Sequence, residues 1–169
     1  MLNRRSFVLL SSFLMISASA FVTAQGASKP KLSASAIQVA LLDVGDVRVP
    51  PEFRYAIYEQ IVDHVKASGA FAKVYRAGDK AAAGVPDLVT LHTKMEGFKE
   101  GSQTVREVTT VFGATTVDIT ASVTDKAGKE LLSKKLTGRV RFFGENLGVT
   151  NDIAKKVTKL VSAAYHPGA

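Results

Sequence analysis

Three histidines, a pair of close carboxylates and a row of cations are the residues of this chain whose types and spacing could do chemistry. Asp43-Val44-Gly45-Asp46 sets two carboxylates three apart beside a glycine, a spacing that suits a bound cation. Aspartates also crowd loops because their side chains bond nearby backbone, and that turn reading is preferred here. His64 has no second ligand at i+4, and His92 stands among charged neighbours with no Ser, Cys or carboxylate at a catalytic spacing. His166 lies far from both in sequence, so no metal site is expected. The chain has no cysteine, which excludes disulfides, thiolate metal sites and a lipid-modified amino-terminal cysteine. It also has no Gly-x-Ser-x-Gly elbow, no His-Glu-x-x-His and no phosphate-cradling glycine loop. The expectation is a protein without catalytic residues or cofactor, although a dispersed triad would escape such a search.

The cations are more informative. Lys135, Arg139 and Arg141 recur at even spacing in a segment whose other positions, Leu136, Val140 and Phe142, are apolar, with Gly138 between them. That is the period of a strand with one buried and one wet face. The segment before it has the same period: Val117, Ile119, Ala121 and Val123 alternate with Thr116, Asp118, Thr120, Ser122 and Thr124. Asp125-Lys126-Ala127-Gly128-Lys129 between them reads as the turn of a hairpin. One face of this hairpin is therefore core and the other is threonine-rich and basic. Lys135, Arg139 and Arg141 form the candidate partner surface; solubility alone also makes exposed sheet faces polar.

Other elements must build the layer that the hairpin belongs to. Ile37–Val44 is apolar at nearly every position, as a strand interior to a sheet would be. Pro50-Pro51-Glu52 opens a helix, whose stripe of Phe53, Ile57, Ile61 and Val65 runs to a stop at Gly69. A short strand over Phe71–Arg76, a Gly/Ala-rich connection with one helical turn, and a strand after Pro86-Asp87 follow. A further strand is expected over Thr104–Phe112. The last helix should be capped by Thr150 or Asn151, with Ile153, Val157, Leu160, Val161 and Ala164 on its apolar side. The expected fold is α+β: a two-layer sandwich of a mostly antiparallel mixed sheet with two main helices on one face.

Residues 1–24 read as a signal peptide: Arg4-Arg5, an apolar run from Phe7 to Ile16, then small residues with cleavage near Ala24 or Ala20. Asn3-Arg4-Arg5-Ser6-Phe7-Val8 resembles a twin-arginine export signal, and an ordinary Sec signal with two arginines is the alternative. Residues 25–35 are small and polar and are expected to be a flexible lead-in to a single domain over 36–166. That body is near the commonest size for one domain, and no later apolar run approaches the length of a membrane span. Without Arg4 and Arg5 the chain keeps 20 basic against 15 acidic side chains, net +5, scattered rather than blocked. No nucleic-acid-binding motif is present, and an exported protein seldom meets nucleic acid. The address is extracytoplasmic, expected to be the periplasm.

Ala70-Phe71-Ala72-Lys73-Val74 after an amphipathic helix, Pro86-Asp87-Leu88-Val89 opening a strand, and Val117-x-Ile-x-Ala-x-Val-x-Asp125-x-x-Gly128-Lys129 before a final helix carry a resemblance. In layout, residues 36–165 resemble uncharacterised bacterial envelope domains similar to the curli secretion protein CsgG and the TolB amino-terminal domain. The resemblance implies a sheet with two helices on one side and an accessory or assembly role; it supplies no catalytic residue. The expected function is that of an exported envelope accessory or assembly protein acting by protein–protein binding. The alternative is a periplasmic carrier of a small apolar ligand held between helices and sheet.

Overall fold

The computed structural model describes residues 32–102, 104, 113–140 and 147–166. In chain order the elements are β1 (Leu32–Ser33), β2 (Ala36–Val39), α1 (Pro51–Ala67), β3 (Lys73–Arg76), a 3-10 turn (Lys80–Ala82), β4 (Leu88–Lys99), β5 (Thr115–Thr124), β6 (Glu130–Val140), α2 (Gly148–Ala164) and β7 (Tyr165–His166). Five strands form one sheet in the order β3-β2-β4-β5-β6. The pairings β3–β2 and β2–β4 are parallel and four residues long, while β4–β5 and β5–β6 are antiparallel and run much further. The fold is α+β, with both helices against one face of an open mixed sheet.

Each helix buries the stripe that its sequence dictates. Pro51 at the first helical position and Glu52 in the first turn start α1, and Phe53, Ile57, Tyr58, Ile61, Val62 and Val65 face inward. Gly69 ends the segment with φ +64°, a left-handed conformation that costs a glycine little. α2 buries Val149, Ile153, Ala154, Val157 and Val161. It begins two residues before the expected cap, and Thr150 does not cap. Its hydroxyl donates back to Leu147 O at 2.7 Å, because Thr150 already lies inside the first turn.

The hairpin registers as its alternation dictates: Ile119 opposes Leu136 and Val117 opposes Gly138. Ile119 and Val140 are both buried. Gly138 is the point where α2 rests on the sheet. A Cβ there would stand 2.8 Å from Ile153 Cβ and 3.2 Å from Val149 O, so only hydrogen lets the helix come this close. In β4 a bulge between Met95 and Gly97 shifts the phase by one residue. Phe98 consequently returns to the inner face, edge-on to Phe53 at 4.9 Å between ring centroids.

Four expectations change. The lead-in is not free to Ser35: Leu32 and Ser33 pair in parallel with Tyr165 and His166, and Ala34 is fully buried. Backbone pairing to the chain's other end, which needs no apolar period, is what fixes this polar stretch. The first long strand is shorter than Ile37–Val44, because the chain leaves the ladder after Val39 and rejoins it only at the Asp43–Lys94 bridge. Leu41 in that gap is 66% exposed. The sheet's back is not wet throughout: Ala36, Ala82 and Leu88 form a small second cluster with Tyr75 and Val85, where the 3-10 turn folds over it. The strand expected over Thr104–Phe112 lies, apart from Thr104, outside the described residues, as does the signal peptide.

Candidate partner-binding surface

With the helices on one face and the 3-10 turn over the β2–β4 corner of the other, the open ground is the outer face of β4, β5 and β6. Register sets its neighbours: Lys135 lies opposite Thr120 and Arg139 opposite Thr116, with Lys94 and Lys99 of β4 on the far side of those threonines. Much of the remaining polar lattice is bonded within itself. Thr120 Oγ1 donates to Glu96 Oε1 at 3.0 Å, Thr137 Oγ1 donates to Asp118, and His92 Nε2 lies 3.1 Å from Thr124 Oγ1. Lys135 and Arg139 are exposed, and neither makes an ion pair among the described residues. Arg141, the third member of the candidate surface, lies outside the described residues.

The other residues singled out for chemistry are turned to structural ends. Asp43 Oδ1 accepts from Gly45 N at 3.0 Å, closing an aspartate turn in which Gly45 takes φ +47°. His64 Nε2 lies 2.7 Å from Asn151 Oδ1 and so ties α1 to the first turn of α2. Arg76 on β3 donates twice to Glu59 of α1, at 2.5 and 2.7 Å, and stands over the Tyr58 ring. That bidentate bond holds the Glu59 carboxyl below its ordinary range and raises Arg76. Among the described residues no group of three His, Asp or Glu side chains is placed to hold a metal ion, and no helix is long and apolar enough to cross a membrane.

Sequence reasoning missed the residues that guard the sheet's edge. Asp152, at the start of α2, and Lys156, off its apolar stripe, both reach the backbone of β6. Their i, i+4 spacing was a local signal; their strand partner was not legible without the helix's position. Two cavities open at the surface among the described residues. One of about 320 Å³ opens beside β3, lined by Ala36, Lys73, Tyr75 and Val85. Another of about 460 Å³ lies at the hairpin turn, lined by Leu32, Leu88, Asp125 and Leu131. Neither sits between the helices and the sheet.

The chain matches no protein-family model and no curated protein. Its fold is shared with solved structures. PelC of Paraburkholderia phytofirmans, described as a dodecamer, superposes with a TM-score of 0.59 at 17% identity, covering 81% of this chain and 93% of that one. A variant of the same PelC, also a dodecamer, gives 0.58 at 18% identity over 82% and 93%. A Xanthomonas campestris protein of the DUF330 type gives 0.49 at 15% identity over 79% and 82%. CsgG and TolB are not among these three. At such identities the likeness is one of fold: the chain has the architecture of PelC.

Proposed function

We propose that this chain is an exported envelope accessory or assembly protein that binds another protein through the basic side of its sheet and catalyses no reaction. One observation carries the reading: Lys135 and Arg139 stand exposed and without ion-pair partners on the terminal strand, beside the only broad stretch of sheet that neither helix nor turn covers among the described residues. A strand fixes the spacing of the cations it carries, so a partner meets them in a set pattern. The reading of residues 1–24 as a signal peptide supports an extracytoplasmic setting. PelC of the same fold is described as a dodecamer, and we include self-assembly of this chain in the proposal.

The test replaces Lys135, Arg139 and Arg141 together by Ser in the exported chain. Affinity capture from envelope extract should lose partners held by the native chain, while circular dichroism and Tm stay unchanged. Retention of every partner removes this surface from the reading. Light scattering on the purified chain tests the assembly part, and a monomer mass at working concentration removes it.

A further inference from the structure

β6 is the last strand of the sheet, and its free edge is divided in two. At the carboxyl end the Arg139 backbone N–H donates to Asp152 Oδ2 at 2.8 Å, and Thr137 O accepts from Lys156 Nζ at 2.7 Å. Asp152 and Lys156 are 2.8 Å apart and one turn apart on α2, so a single helical ion pair takes up one donor and one acceptor of the edge. In an antiparallel ladder a residue's N–H and C=O point to the same side, and the side alternates along the strand. Arg139 points away from β5, and Lys135 and Ser133 therefore do so too. No other element among the described residues meets their backbone groups. The edge is sealed at 137–139 and open at 133–135.

We propose that this open half is a strand-addition site for an extended acidic segment of a partner protein. The inference rests on the reading that the chain binds a protein through the basic side of its sheet, and it names how and what. Main-chain bonds to Ser133 and Lys135 would supply affinity, and the Asp152–Lys156 clasp would stop the added strand and so fix its register. Charge supplies the choice of partner. Lys134 projects to the helix side of β6 and Lys135 to the outer side, both exposed, so an incoming strand meets a cation on each of its faces. Leu131 and Leu132, half-buried and packed against the main core, add apolar surface beside these lysines. A second copy of this chain fits less well: paired about a two-fold axis at Ser133, Lys134 would face Leu132 and Lys135 would face Leu131, so neither lysine would meet a carboxylate. An acidic strand supplies the charge that a second copy lacks there.

The experiment uses the full exported chain and two synthetic octapeptides, alternating Glu and Val or alternating Lys and Val. Amide hydrogen exchange is read by NMR. The Glu peptide should slow exchange at Ser133 and Lys135 at least about tenfold and leave Arg139 unchanged, because strand pairing shields amides that were open to water. Ser133→Pro removes an outward donor without touching the β5 ladder, so the fold should persist while peptide affinity falls about tenfold or more. Lys134→Glu with Lys135→Glu, which leaves the backbone alone, should exchange preference from the Glu to the Lys peptide. Equal binding of both peptides to the native chain, or unchanged Glu-peptide affinity in a folded Ser133→Pro chain, overturns strand addition. If the triple-serine chain loses its envelope partner while Ser133→Pro keeps it, strand addition is overturned and the protein-binding reading survives. If both chains keep every partner, the protein-binding surface falls as well.

Discussion

At the scale of single residues, burial decides more than chemical type. Tyr165 is 1% exposed, its ring is tilted 5.3 Å from Phe71, and its hydroxyl has no hydrogen-bond partner among the described residues. Burial pushes its pKa up, so the unfolded chain loses the phenolic proton before the folded one does. Between those two values the folded state holds more protons, and stability must fall as pH rises through the ordinary tyrosine range. Tyr165→Phe should remove that part of the alkaline decline. Because an orphaned buried hydroxyl costs about 1 kcal/mol or more, the variant should be as stable as the native chain at neutral pH or gain about that amount. Paired thermal melts at neutral and alkaline pH measure both effects, and a large loss at neutral pH would reveal a partner for the hydroxyl. Glu59 gives the opposite sign on the acid side. Its carboxyl is held low by Arg76, so the stability it contributes is present above the unfolded value and is lost as pH falls through the lowered folded one. Both side chains are nearly half exposed, so the effect is small and salt-sensitive, and Glu59→Gln should flatten that acid slope.

At the scale of elements, the most constrained contact is α2 on β6. Gly138→Ala adds one methyl where Ile153 Cβ stands 2.8 Å away and a backbone carbonyl 3.2 Å away. Neither atom is the far end of a flexible side chain, so helix and strand must separate, and the expected loss is about 2 kcal/mol. Trimming residue 153 to Ala leaves its Cβ in place and should not rescue the variant. Urea unfolding reads both, and rescue by Ile153→Ala would show that the helix yields. The same contact shows what local pattern carries. Alternation in β5 and β6 makes the hairpin and its two faces legible, and 3.6-residue spacing does the same for both helices. The glycine among the apolar residues of β6 was visible, but its reason was not, since it depends on a helix that arrives ten residues later. Likewise the β4 bulge has no period of its own; it appears only because Phe98 must return to the core beside Phe53. The Asp152–Lys156 clasp is hidden for the same reason: nothing local announces the strand it seals. Asp152→Ala with Lys156→Ala should therefore leave the fold intact and lengthen the open edge, visible as faster exchange of the Arg139 amide. Unchanged exchange there would mean that α2 shields β6 by bulk and not by those bonds.

At the scale of the whole molecule, layer order follows from faces, and the ends of the chain do not. Amphipathic helices and a one-sided hairpin admit few arrangements, which is why the two-layer α+β fold was readable before any coordinate. The β1–β7 clasp was not, because two residues pairing with two others across the length of the chain leave no periodic trace. Ala34 is where this matters. Sequence places it in a mobile lead-in; the fold buries it completely in the main core, next to exposed Ser33. If the clasp forms part of the folded unit, Ala34→Asp must bury an unpaired carboxylate, and the expected loss is about 3 kcal/mol. For a chain of this size that corresponds to a fall in Tm of roughly 10 °C. Ser33→Asp, one residue away and turned to solvent, should shift Tm by no more than a degree or two, about what an exposed substitution costs. Differential scanning calorimetry on the two variants separates the alternatives. A matched, small shift in both would put the start of the folded unit after Ala34, as the composition of residues 25–35 suggests. A large shift in Ala34→Asp alone would show that residues 32–34 are held by the strand at Tyr165–His166.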